Sequence, residues 1–167
     1  MLIIALGNTI MSKSRQRHNA GVIVINNIAK HYNVKWINKR WFYYFELTND
    51  EKTYYFAYPK TFMNLSRQGV KHILSYFSNP TFAIIHDDLD TVLGKIRIKH
   101  GGSHRGHNGV RSCINSLGKE FDRILIGIGR PESRNAIIIS SYVLGSFTQD
   151  EMKSIDSIDL DKILSLF

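Results

Sequence analysis

Phe82-Ala83-Ile84-Ile85 runs directly into His86-Asp87-Asp88, and the reading of these seven residues decides the fold. Four apolar residues are too few for a helix, and their paired isoleucines favour a short buried strand, with the polar triplet at its exit. The N-terminus is built the same way. Met1-Leu2-Ile3-Ile4-Ala5-Leu6 is apolar and short, and Gly7-Asn8 ends it. Between these two strands the period changes. Val22, Ile25, Ile28 and Ala29 recur at helical spacing over residues 20–32, and Val70, Ile73, Leu74 and Phe77 do so over residues 65–77. Residues 42–47 and 53–58 are aromatic-rich strands around a turn at Asn49-Asp50, which predicts a hairpin. Residues 94–100 alternate Lys95, Arg97 and Lys99 with Ile96 and Ile98, one strand face cationic and the other apolar. Residues 108–117 are helical with Gly118 as the cap, and residues 123–127 form a further strand. Thr148-Gln149-Asp150-Glu151 has the capping-box form and starts a terminal helix that turns Met152, Ile155 and Ile163 inward.

Strands alternating with helices indicate an α/β fold, a single-domain three-layer sandwich with a mixed, mostly parallel central sheet flanked by helices. Residues 1–167 show no repeat, no Pro-rich or Ser-rich linker and only three prolines, so one domain spans them. In such folds ligands collect beyond the carboxyl ends of the strands. Asn8 and His86-Asp87-Asp88 are therefore expected in one cleft.

Composition narrows the function. With 43% hydrophobic and 22% charged residues, intrinsic disorder is excluded as the main state. The single cysteine, Cys113, cannot form an internal disulfide or a cysteine zinc cluster, which agrees with a reducing, cytoplasmic setting. The apolar run at residues 1–6 is too short for a signal-peptide core or a membrane span, so no membrane partner is expected. The net charge of +8 is uneven, with 11 basic and 3 acidic side chains in residues 1–80. An excess of this size on a small domain attracts polyanions, chiefly nucleic acid.

Four segments gather His, Asn and Asp where loops are expected: Asn8, Arg17-His18-Asn19, Thr61-Phe62-Met63-Asn64 and His86-Asp87-Asp88-Leu89-Asp90. His18, just before a helix, titrates in the range that suits a general base. Asp87 could orient its second ring nitrogen and stabilise the imidazolium. Asp87, Asp88 and Asp90 also admit a reading as a Mg²⁺ or Mn²⁺ site, since hard cations favour carboxylates, although no second acidic cluster precedes them. Asn8, Asn64 and Asn108 offer neutral amides that can bind a peptide backbone or a developing oxyanion. Residues 95–111 hold five Lys/Arg and three His without an acid, around a glycine-rich centre that can approach a phosphate. The aromatics at Trp36, Trp41 and residues 42–45 could stack bases, but hairpin strands usually use such side chains as core. Cys113 falls within a helix and no G-x-S-x-G elbow exists, so activated water is the better nucleophile.

Together, Leu6-Gly7-Asn8, Arg17-His18-Asn19-Ala20-Gly21, Pro59-Lys60-Thr61-Phe62-Met63-Asn64-Leu65-Ser66, His86-Asp87-Asp88-Leu89-Asp90, the glycine-rich run 101–109 and Ile126-Gly127-Ile128-Gly129-Arg130-Pro131 occur in an order and spacing that resembles the bacterial-type peptidyl-tRNA hydrolase family. The resemblance implies a monomeric esterase, without metal or cofactor, that cleaves the ester joining a peptide to the 3′-terminal ribose of tRNA. It implies His18 as the base that activates water and Asp87 as its orienter. Asn8, Asn64 and Asn108 match positioning asparagines, His107 a residue lining the same cleft, and Lys99 a lysine that holds a tRNA phosphate, with Arg105 or Arg97 beside it. Residues 141–147 resemble the family's lid. The pattern departs where Thr9 and Ile10 stand for the usual Pro-Gly, near Lys13 where an aromatic is typical, and at Leu125 where a second basic residue is frequent. With the shorter terminal helix, these departures leave an alternative, a weakened module that binds tRNA or other RNA.

Overall fold

The computed structural model describes residues 1–8 and 15–165, so Thr9, Ile10 and Lys13 lie outside the described residues. Seven strands form one mixed sheet: β1 (Leu2–Ala5), β2 (Ile37–Asn38), β3 (Phe42–Asn49), β4 (Lys52–Pro59), β5 (Phe82–Asp88), β6 (Ile96–His100) and β7 (Asp122–Gly127), in the order β2-β3-β4-β1-β5-β7-β6. The central pairs β4·β1, β1·β5 and β5·β7 are parallel, and the antiparallel pairs lie toward the two edges. Among the described residues six α-helices accompany it: α1 (Ala20–His31), α2 (Ser66–Tyr76), α3 (Asn108–Leu117), α4 (Ala136–Leu144), α5 (Gln149–Asp156) and α6 (Leu160–Leu164). None of the described helices is long and apolar enough to cross a membrane.

Strand periodicity makes the three layers. Alternate residues of β1 serve opposite cores. Ile3 and Ala5 pack with Val24, Ile25 and Ile28 of α1, Ile155 of α5 and Ile163 of α6. Leu2, Ile4 and Leu6 pack with Val70 and Ile73 of α2 and Val110 and Cys113 of α3. Because β1 is sandwiched on both faces, all four of its residues are fully buried, which is why it reads as a continuous apolar run. Truncating a side chain such as Ile25 to Ala would cost about 2–5 kcal/mol at a site buried this completely.

The α2 connection from β4 to β5 passes over β1 on one face, and α1 leaves β1 on the other. The carboxyl ends of β4, β1 and β5 are thereby left facing an open crevice, the position where sheets of this kind bind ligands.

Several details differ from the sequence expectation. The hairpin turn falls at Asp50-Glu51, both at positive φ, with Asn49 pairing Lys52. This is the twist that two-residue hairpin loops prefer, achieved without the usual glycine. The terminal helix is two helices, because Asp159 caps a new start at α6, its side chain accepting from the Lys162 N–H at 3.1 Å. β6 is an edge strand starting at Ile96, and Ile98 is exposed rather than part of an apolar face. Trp41 is also exposed, whereas Phe42 and Phe45 are core. Finally, α4 has no counterpart in the sequence reading. Its run AIIISSYVL buries none of its residues and shows no single apolar face, and its β-branched residues argue against a helix.

Candidate active site

His18 lies on a 3₁₀ turn, Arg17–Asn19, that leads into α1. Asn64 lies on a second such turn, Met63–Leu65, that leads into α2. Asp87 is near the end of β5, and His107 is the N-cap of α3. The turns are stitched together by Asn8: its backbone N–H donates to Asn19 Oδ1 at 2.7 Å, and its Oδ1 accepts from the Met63 N–H at 3.1 Å. Asn8, His18, Asn64, Asp87, His107, Asn108 and Arg105 line one cleft of about 730 Å³, walled on its far side by Ile139 and Val143 of α4.

Asp87 is the centre of this constellation. It is only 3% exposed, and its carboxylate meets His18 Nδ1 at 2.9 and 3.0 Å and His107 Nε2 at 2.9 Å. Hydrogen bonding fixes both tautomers. His107 Nδ1 accepts from the Val110 backbone N–H at 3.2 Å, so its proton is on Nε2 and points at Asp87. His18 donates from Nδ1, leaving Nε2 with the free lone pair of a base. Burial alone would raise the Asp87 pKa, but the positive charge His18 and His107 can carry and their hydrogen bonds outweigh it, holding the group well below the ordinary carboxylate value. At His18, burial works against the charged form, yet the charge and hydrogen bond of Asp87 prevail and raise its pKa above 6.5.

His86 joins this cluster, with a ring contact to His107 that its position in the sequence motif does not predict. It is buried, lies edge-on to the His107 ring at 4.7 Å, and its Nδ1 approaches the Asp87 carbonyl at 2.6 Å. Desolvation and the neighbouring His107 lower its pKa to about 3, so it remains a neutral spacer. Arg17 was likewise visible only as a motif residue. Its guanidinium donates to Glu151 at 2.7 Å and to the Tyr142 carbonyl at 3.2 Å and lies 4.2 Å over the Tyr142 ring. The turn that carries His18 is thereby fastened to α4.

The remaining acids do not converge with Asp87. Asp88 accepts from Thr91 and Arg97, and Asp90 from Arg130 and Arg105. The hard-cation reading of Asp87, Asp88 and Asp90 therefore loses its geometry. Ligand atoms of His18, Asp87 and His107 lie within 4.8 Å of one another, a nitrogen and oxygen set that a zinc-like ion could use, but those atoms are engaged in hydrogen bonds with each other.

Lys99 sits outside the cleft, beside it along β6 and β7, where Arg97, Lys99, Arg105, Arg123 and Arg130 surround a small depression. Arg123 pairs with Lys99 across the two strands and donates to the carbonyls of Gly101, Gly102 and Ser103, so it shapes the glycine-rich loop. Leu125, the departure from the family pattern, is buried in β7. Desolvation and the like charges of Arg123, Arg105 and Arg97 hold Lys99 below its ordinary value, a condition that a bound anion would relieve.

A three-layer α/β sandwich that brings a histidine and a buried carboxylate together at the carboxyl ends of its parallel strands is built like an α/β enzyme. Comparison with known proteins narrows the class. The sequence profile described as peptidyl-tRNA hydrolase matches residues 2–166. The chain is 38% identical over 157 residues to the peptidyl-tRNA hydrolase of Sulfurimonas denitrificans, covering 93% of this chain and 82% of the relative. It is 42% identical over 162 residues to that of Bacillus subtilis, covering 93% and 85%. The crystal structure of peptidyl-tRNA hydrolase from Acinetobacter baumannii superposes with a TM-score of 0.84 at 33% identity, covering 98% of this chain and 84% of that one. The chain belongs to the peptidyl-tRNA hydrolase family.

Proposed function

We infer that the protein hydrolyses the ester between a peptide and the 3′-terminal ribose of tRNA, with His18 as general base and Asp87 as its orienter. Membership of the family supports the reaction, and one observation supports the roles: a buried carboxylate holds His18 by Nδ1 at 2.9 Å beside an amide-lined cleft. Water gives a proton to His18 Nε2 as its oxygen attacks the ester carbonyl. Asp87 stabilises the resulting imidazolium, and the side-chain amides of Asn64 and Asn108, which line the cleft, donate to the tetrahedral oxyanion. Collapse breaks the bond to the ribose oxygen, which takes the proton back from His18, leaving a free tRNA hydroxyl and a peptide carboxylic acid that releases its remaining proton to solvent. The Nε2–H of His107 donates to Asp87 beside His18, and the Asn8 side chain accepts from the Met63 N–H of the turn that carries Asn64.

The cations Lys99 and Arg105 are suited to a phosphate of the tRNA acceptor end. The protein is further proposed to work as a cytoplasmic monomer. The alternative of a binding module without catalysis is not favoured, since the histidine and carboxylate are both in place and the relatives compared are named hydrolases. In a single-turnover assay on peptidyl-tRNA, His18→Ala is expected to slow cleavage by about 10²–10⁴-fold while tRNA affinity holds. Cleavage at the wild-type rate by that variant would overturn the assignment of the base.

A further inference from the structure

A second concavity of about 370 Å³ opens beside the cleft, between the start of β3, the end of β4 and α2. Phe62 lines both spaces and stands at the border between them. Three of its walls are exposed apolar side chains: Trp41 at 45%, Phe62 at 52% and Leu65 at 39%. Trp41 is stacked face to face on His72, with centroids 5.1 Å apart and planes 7° from parallel. Gly69 forms the floor, where α2 sits so close to β4 that a Cβ would stand 2.2 Å from that of Pro59.

We propose that this pocket receives an apolar or aromatic side chain of the peptide, upstream of the residue esterified to the tRNA. The proposal rests on the peptidyl-tRNA reading above. Sheet order gives the direction. The cluster of cations lies on the β7–β6 side of Asp87, and the Trp41 pocket lies on the β4–β3 side. An ester held at His18 with its RNA toward the cations sends its peptide the other way, past Phe62. The pocket's chemistry suits peptide better than phosphate. Lys60, on its wall, is turned to the Asn38 side chain and the Lys39 carbonyl, and the Arg40 guanidinium lies over the Trp41 ring at 4.9 Å. Fixed aromatic rings around a concave apolar space offer area to a side chain at small entropic cost.

The test compares three substrates on one tRNA: an N-acetylated single aminoacyl ester, a tripeptidyl ester with Phe at the two upstream positions, and its counterpart with Gly there. The wild type is expected to cleave the Phe peptide with a kcat/KM about tenfold or more above that of the Gly peptide, the scale expected from burying such a side chain. Trp41→Ala should erase this preference and leave cleavage of the single-residue ester within about twofold. Gln68→Trp, an exposed position of α2 on the pocket rim, should erase it by filling the space without touching the core. Cleavage of all three substrates by the wild type at equal efficiency would overturn the pocket's assignment alone. Cleavage of none would overturn the hydrolase reading and the assignment with it. A Trp41→Ala loss that is equal for all three, and equal for the affinity of deacylated tRNA, would assign the pocket to a stacked base and reject the peptide.

Discussion

Asp87 accepts from two imidazoles at 2.9 Å each, so protonating or replacing it releases both rings at once. The pH dependence should show which ring matters. The base acts in its neutral form, so kcat/KM rises with pH through the pKa of His18 in the free enzyme, which lies above 6.5. In Asp87→Asn the negative charge that raises this pKa is gone and any remaining hydrogen bond from Nδ1 is to a neutral amide oxygen, while the burial that lowers it remains. The midpoint of the acid limb is then expected to move to lower pH, even as the plateau rate falls by about 10²–10⁴-fold through loss of the oriented tautomer. A pH–rate profile of the variant checks this. A midpoint that stays in place or moves upward would show that Asp87 does not raise the pKa of the active base. His107 and His86 are poor substitutes for His18 in this respect, the first because its Nε2 proton is committed to Asp87 and the second because burial lowers its pKa to about 3, which makes it too weak a base to take a proton from water.

Between residue and fold stands the packing of α1 against β5. At Gly21 an added Cβ would stand 2.6 Å from the Ile85 carbonyl oxygen and 3.3 Å from His86 Cα. Alanine improves intrinsic helix propensity by about 1 kcal/mol. The clash is with the backbone of a central strand at its buried residues Ile85 and His86, which cannot yield without moving Asp87, and overpacking of this kind costs about 1–3 kcal/mol. Gly21→Ala is therefore expected to lower Tm by a few degrees, at about 2–4 °C per kcal/mol for a chain this long, and to reduce kcat with little change in tRNA affinity. Thermal unfolding with single-turnover kinetics measures both, and a rise in Tm at full kcat would refute the tight contact. The close approach was invisible in the sequence, where Gly21 was one residue of a motif. What could be read was periodic or chemically loud: the apolar run of β1, the alternate core residues of α1 and α2, the Thr148–Glu151 capping box, and the turn positions of His18 and Asn64, whereas Asp87, expected in a loop after residue 85, lies within β5, which runs on to Asp88. What escaped was decided by tertiary placement. The α4 helix depends on Asn135, whose side chain accepts from the Ile137 and Ile138 N–H groups, against its β-branched composition. The bond from His107 to Asp87 joins positions 20 apart through a turn that no local pattern encodes.

Across the whole molecule the sheet separates chemistry by position: cations along β6 and β7, the histidine–carboxylate centre in the middle, and the aromatic pocket by β3 and β4. The cations are unequal. Arg97 is paired with Asp88, Arg105 and Arg130 share Asp90, and Arg123 is bonded to three loop carbonyls. Lys99 forms no ion pair among the described residues and is crowded by like charge, so it gains most from a phosphate. Each phosphate contact releases condensed counterions, which makes the logarithm of affinity fall with the logarithm of salt by about 0.7–0.9 per contact. Lys99→Gln is thus expected to weaken tRNA binding and flatten that slope by about one contact, without altering cleavage at saturating enzyme. Lys30→Gln removes the same charge at the last turn of α1, which ends at the opposite pole of the sheet, and should leave the slope as it was. Titrating affinity for deacylated tRNA over a range of salt decides the matter. Equal slopes for wild type and Lys99→Gln would mean that RNA approaches from elsewhere, while equal flattening by both variants would reduce the effect to net charge. Only a slope change confined to Lys99 ties the orientation of the nucleic acid to the β6–β7 edge, and with it the direction in which the peptide must leave the centre.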